Sequence, residues 1–213
     1  GRKKEDILDQ ANQIKQSHRS SAIDMVELRG DYLDILSDYE QLDDLLKKVT
    51  EVLDDKVLLF TIRSEAEGGE PLAFSSPTIA QINQHVIEGH LADMVDIELF
   101  SGAEQAKELI GLAKEKGVKT IMSNHDFQTT PDASTIVNRL RSMQDLGADV
   151  VKIAVMPENK LHVVNLLAAT AMMQEAYAEV PVVTMSMGKM GAISRISGQV
   201  FGSAITFASF AEA

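Results

Sequence analysis

Apolar runs of six to ten residues alternate along the chain with longer stretches in which apolar positions recur every three or four residues. The short runs are DMVELR (24–29), KVLLFTIR (56–63), DMVDIELF (93–100), VKTIMSNHDF (118–127), DVVKIAVM (149–156), PVVTMSMG (181–188) and QVFGSAITFA (199–208). They are rich in Val, Ile and Phe and read as strands. Amphipathic or alanine-rich helices are predicted over roughly 3–17, 38–54, 77–90, 102–116, 131–146, 158–178 and 189–198. Ser37-Asp38, Ser76-Pro77, Ser101-Gly102 and Thr130-Pro131 supply N-cap residues or an early proline at four helix starts. Such alternation builds βα units and a parallel sheet. No linker, low-complexity segment or repeat divides the chain, so 1–213 is expected to be one domain.

The strands carry a second pattern. Read with period two, Val26 and Leu28 oppose Glu27 and Arg29, and Leu58, Phe60 and Ile62 oppose Leu59, Thr61 and Arg63. Likewise Val95, Ile97 and Leu99 oppose Asp96 and Glu98, while Val151, Ile153 and Val155 oppose Val150, Lys152 and Ala154. An open sheet covered by helices on both sides should be apolar on both faces. One apolar face and one face bearing ionisable groups fits a closed (β/α)8 barrel, whose strands point one way at helices and the other way at the barrel axis. No glycine-rich nucleotide-binding motif follows any strand, which removes the main support for an open nucleotide-binding sheet. Seven strands are found where a barrel has eight. The chain starts in a helix and stops after the last strand, so the first strand is expected to be missing and the barrel truncated at both ends.

Charge and composition narrow the partners. Among 213 residues, 20 Lys and Arg stand against 32 Asp and Glu, a net charge of -12. That balance argues against nucleic acid and anionic membranes as partners. A few arginines in a pocket can still reverse the field for a small anion. The absence of cysteine removes disulfides, thiolate metal sites and cysteine nucleophiles, and accords with a reducing cytosol. No apolar stretch reaches the roughly 20 residues of a membrane span. With the charged start GRKKEDILDQ, the expectation is a cytoplasmic protein.

Within that frame, Lys152 is the anomaly. A lysine amid Val, Ile and Ala in the middle of a strand is buried only if paired or working. One reading is an ammonium that snorkels out at a strand end. The sharper one is a Schiff-base nucleophile, which must be neutral to attack a carbonyl. With a pKa of about 10.4, fewer than about one exposed amine in a thousand is neutral at pH 7. Burial and neighbouring cations favour the neutral form. His125, at the end of the preceding strand, is a candidate general acid/base next to it. Arg29, Arg63, Glu98 and His125 fall at the C-terminal strand ends, where such barrels hold their active sites, and Glu67 and Arg195 follow in the next loops. Glu67, in RSEAEGGE, could orient a histidine, and its glycines allow close backbone approach. Arg29, Arg63 and Arg195 are possible anion clamps, although surface ion pairs are the commoner use of arginine. Met185 and Met187 suit a pocket wall or plain packing. Asp96, Glu98 and His125 could be read as a metal set, but acids balancing a lysine and three arginines require fewer assumptions. His18, His85, His90 and His162 receive no role.

Taken together, ELR, LLFTIRSEAEGGE, DIELF, IMSNHDFQTTP, GADVVKIAVMP and TMSMGKMGAISRISGQVFGSAITFA resemble type I 3-dehydroquinate dehydratase along the whole chain, in order. The resemblance implies a (β/α)8 barrel, usually dimeric, that needs no metal or cofactor. It implies Lys152 as the Schiff-base lysine, His125 as the catalytic histidine and Glu67 as the glutamate that positions it. It further implies Glu27, Arg29 and Arg63 as substrate contacts on the ring-hydroxyl side, Arg195 as the holder of the substrate carboxylate, and 3-dehydroquinate as the substrate of a carbon–oxygen lyase of the shikimate pathway. The family pattern also includes a first strand with a serine near the substrate and, after the last strand, a lid with a serine and a glutamine. Neither is in this sequence, so a polypeptide ending at Ala213 is expected to bind substrate poorly. Two other readings compete: a different lysine-imine barrel such as an aldolase, and a non-catalytic barrel module.

Overall fold

The computed structural model describes residues 1–75 and 77–209. Among these, six strands and seven α-helices alternate. They are α1 (Lys4–Gln16), β1 (Met25–Arg29), α2 (Tyr39–Leu53), β2 (Val57–Thr61), α3 (Ile79–Glu88), β3 (Met94–Glu98) and α4 (Ala103–Lys116). There follow β4 (Lys119–Asp126), α5 (Ala133–Asp145), β5 (Val150–Val155), α6 (Lys160–Ala176), β6 (Val182–Ser186) and α7 (Ala192–Phe201). The chain divides into two compact units, Gly1–Asp96 with Glu108–Lys119, and Ile97–Lys107 with Thr120 onward. No described helix is long and apolar enough to cross a membrane.

In the first unit β1 and β2 run parallel, pairing Met25 with Val57 through Arg29 with Thr61, and β3 joins β2 at Leu59↔Met94 and Phe60↔Val95. The helices form because their apolar residues share a stripe: α2 buries Leu42, Leu45, Leu46, Val49 and Leu53. The Asp38 side chain accepts the Gln41 N–H at the start of α2, and Thr78 with Gln81 forms a capping box at α3. The expected start at Ser76-Pro77 therefore lies at Thr78; Ser76 itself is outside the described residues. At the N-terminal end of β3, Asp93 Oδ2 accepts the Leu58 N–H at 2.8 Å, which locks the register of neighbouring strands.

The second unit repeats the device. Asp149 Oδ2 accepts the Thr120 N–H at 2.9 Å, and β4, β5 and β6 lie parallel in that order. All six residues of β5 are buried. Asp132, not Thr130, caps α5 by accepting the Thr135 N–H at 2.9 Å.

The seventh expected strand does not form. The helical spacing of Ile193, Ile196 and Val200 continues to Phe201, so α7 absorbs the start of QVFGSAITFA. Gly202, with φ 98°, then ends the helix in the left-handed conformation that glycine adopts freely, and a Cβ there would fall 2.6 Å from Gln174 Cγ. Beyond it, Ser203 makes one isolated bridge to Val182 and residues 204–208 form no strand.

Candidate active site

The second unit places Lys152 in the middle of β5 with 3% of its surface exposed. In the register of β4, β5 and β6, Ser123, Lys152 and Val183 form one cross-strand row, and His125, Ala154 and Met185 form the row two residues nearer the strand ends. Alternate residues share a face, so Lys152, His125 and Met185 point the same way from strands spaced about 4.8 Å apart. Ala154, between His125 and Met185, carries only a methyl group. Met187 follows β6, half-buried, its N–H donated to Val155 O at 2.8 Å. Arg195 lies on the exposed part of α7.

One residue touches both Lys152 and Arg195. The Phe207 ring centroid lies 4.4 Å from Lys152 Nζ, while its carbonyl oxygen accepts a 2.7 Å hydrogen bond from Arg195 Nη1. The segment after α7 thus brings Lys152 and Arg195 to one residue, the first to its ring and the second to its backbone carbonyl. The sequence offered no reason to single out Phe207, since an aromatic residue in an apolar run reads as core.

The first unit holds a buried ionic cluster built on the ends of β1, β2 and β3. Arg29 makes a two-pronged contact with Asp31, Nε to Oδ1 at 2.8 Å and Nη2 to Oδ2 at 2.7 Å. Its Cζ stacks over Tyr32 at 5.1 Å. Asp31 also accepts the backbone N–H groups of Arg63 at 3.2 Å and Glu70 at 3.1 Å. Burial pushes the Asp31 carboxyl up. The hydrogen bonds from Arg29, Glu70 and Arg63 together outweigh that effect, and its pKa falls below the ordinary carboxylate value. For Arg29, desolvation opposes the charge, but the bond and attraction to Asp31 prevail and raise its pKa.

Arg63, 3% exposed, donates from Nη2 to Asp96 Oδ2 at 2.9 Å and holds Glu67 Oε2 at 3.7 Å. Glu27 accepts the Thr61 hydroxyl at 2.8 Å. The glycines of RSEAEGGE make a sharp turn: a Cβ on Gly69 would fall 1.9 Å from the Arg63 carbonyl oxygen. So Glu27, Arg29, Arg63 and Glu67 gather in one unit, and Lys152, His125, Met185, Met187 and Arg195 in the other. Asp31 went unrecognised, although an aspartate two residues beyond a strand-end arginine is positioned for such a fork. Among the described residues, no group of three or more His, Cys, Asp or Glu could hold a metal ion.

The profile of type I 3-dehydroquinase matches residues 1–213. The chain belongs to this family. A 3-dehydroquinate dehydratase of Salmonella paratyphi B is 47% identical over 191 residues, 90% of this chain and 75% of the relative. Among solved structures, the type I 3-dehydroquinate dehydratase of Clostridium difficile, crystallised with covalent modified comenic acid, superposes with a TM-score of 0.92 at 42% identity. That match covers 97% of this chain and 80% of the other. The Enterococcus faecalis 3-dehydroquinate dehydratase gives 0.91 at 44%, covering 97% and 84%.

Proposed function

We propose that the chain dehydrates 3-dehydroquinate to 3-dehydroshikimate, with Lys152 as the covalent nucleophile and His125 as general acid and base. The observation that carries this reading is the placement of Lys152, buried in β5, on the same face as His125 one strand away. The neutral Lys152 amine adds to the C3 ketone, and the carbinolamine loses water to give an iminium. The positive nitrogen withdraws electrons from the adjacent C2–H bond. His125 removes that proton, the C–O bond at C1 breaks, and the departing hydroxide takes a proton from the imidazolium. Water then hydrolyses the conjugated imine and frees the amine. The net change is loss of one water, with no change of oxidation state, so no redox cofactor enters the balance.

The other roles rest on the resemblance. Glu67 orients the histidine, Glu27, Arg29 and Arg63 contact the ring hydroxyls, Arg195 holds the carboxylate, and Met185 and Met187 line the pocket. The buried Arg63–Asp96 pair gives Arg63 the fixed orientation that such a contact requires. The same reading makes the chain part of a single closed eight-stranded barrel, a homodimer working in the cytoplasm.

Incubation with 3-dehydroquinate, reduction with borohydride and intact-mass measurement test the proposal. A reduced adduct mapped to Lys152, together with ultraviolet absorbance of the conjugated product, is the expected result. A chain with neither adduct nor product is a non-catalytic module. An adduct formed only with carbonyl substrates that undergo C–C cleavage indicates an aldolase.

A further inference from the structure

The motif SNHDF surrounds His125 with polar residues that the proposed reaction does not use. Asn124 and Asp126 alternate with His125 along β4, so their side chains leave the opposite face of the strand. There they meet Arg139 of α5. Arg139 Nη1 donates to Asn124 Oδ1 at 2.9 Å and lies 3.7 Å from Asp126 Oδ2. Its Cζ stands 5.5 Å from the Phe100 ring centroid, which holds the guanidinium from another side. Asn124 is only 3% exposed. Asp126 in turn accepts the N–H groups of Gln128 and Thr129 at 3.1 and 3.0 Å. The Asp126 carbonyl accepts the N–H of Met156, the residue after β5, at 2.9 Å.

We infer that Arg139 is a positioning residue for His125. One guanidinium grips the residues immediately before and after the histidine, from the face opposite the imidazole. Because Cβ direction follows backbone orientation, fixing both neighbours fixes the direction in which the ring leaves the strand. The link through Asp126 to Met156 ties the same strand end to the end of β5, the strand that carries Lys152. Both contacts come from Nη1, which a lysine ammonium could imitate in part, but lysine lacks the flat guanidinium that lies beside the Phe100 ring. The inference rests on the reading of His125 as the acid/base group.

The test compares the unaltered chain with Arg139→Lys, Arg139→Met and, as a reference, His125→Ala. For each, kcat and KM, the thermal melt and the nitrogen-resolved imidazole NMR signals are measured, with His125 assigned by its loss in His125→Ala. Arg139→Met is expected to lower kcat by roughly 10- to 100-fold, as misplacement of a reacting group by about 1 Å does, with KM within about threefold. Its melt stays cooperative, and its His125 ring signals broaden or double. Arg139→Lys recovers part of kcat and of the signal sharpness. A kcat within about twofold of the unaltered chain with unchanged His125 signals overturns the inference. So does a rise in KM matching any loss in kcat/KM. Should Arg139→Met not fold, Arg139→Lys is judged by the same readouts. If the unaltered chain does not turn over 3-dehydroquinate, the catalytic reading fails by itself. The His125 ring signals of the free protein then decide the positioning role, and unchanged signals overturn it.

Discussion

Lys152 Nζ sits 4.4 Å from the centroid of the Phe207 ring, and the backbone carbonyl of the same phenylalanine accepts a hydrogen bond from Arg195. An aromatic face attracts an ammonium, so the ring holds Nζ beside it and away from an incoming carbonyl. A cation–π contact of this kind is worth about 0.5–2 kcal/mol.

Replacing Phe207 by leucine keeps apolar bulk and removes the ring face. At fixed pH and saturating substrate, borohydride-trapped adduct should form faster, by a few-fold to about tenfold. Time-resolved intact-mass measurement checks this, and an unchanged or slower rate contradicts it.

His125→Ala separates the covalent step from the proton transfers. Loss of a positioned acid/base group costs about 10²–10⁴ in rate. Steady-state turnover should fall by that factor, while reduction with borohydride still yields substrate adduct on Lys152. Loss of adduct with an intact fold would show His125 to be essential to imine formation as well.

Gly69→Ala tests the turn that carries Glu67. A Cβ 1.9 Å from the Arg63 carbonyl oxygen forces backbone to move, because neither group is a flexible side-chain end. Overpacking of this kind costs about 1–3 kcal/mol. Chemical denaturation should show a loss in that range, and KM should rise if Arg63 contacts substrate. A variant as stable as the parent would mean that the loop relaxes freely.

Asp132 gives the chain a defined acid response. Hydrogen bonds from the Ser134 hydroxyl, then from the Thr135 N–H and hydroxyl, hold its pKa at about 2, below the ordinary value near 3.9. A depressed folded-state pKa stabilises the fold fully above the unfolded value and loses that effect as pH falls through the folded value. Asp132→Ala should therefore lower the melting temperature at pH 7. The gap between variant and parent should narrow from about pH 4 down toward pH 2. A pH-independent gap would assign the effect to something other than the charged cap.

Much of this molecule was legible before any coordinates. Lys152 stood out because a strand core disfavours an ammonium, and the alternation of Val151, Ile153 and Val155 set its direction. The apolar stripes of α2 and α5 were visible at helical spacing. QVFGSAITFA misled because an apolar run of β-branched and aromatic residues suits either element, and its spacing from Ile193 continued the helix. The hydrogen-bond partners were not legible either. Asp31 and Asn124 read as ordinary polar positions, and Asp96 read as an acid balancing the cations without its partner Arg63 being named.

The amino-acid sequence by itself determined most of the alternation of elements, which residues share a face of each strand and the residue types available for chemistry. All of these depend on local spacing and on the cost of burying charge. Tertiary structure decided which groups meet: Arg63 with Asp96, Lys152 with Phe207, Arg139 with both neighbours of His125. Those contacts join residues 13 to 55 positions apart, and their geometry is set by strand register and helix packing, which no short window of sequence contains.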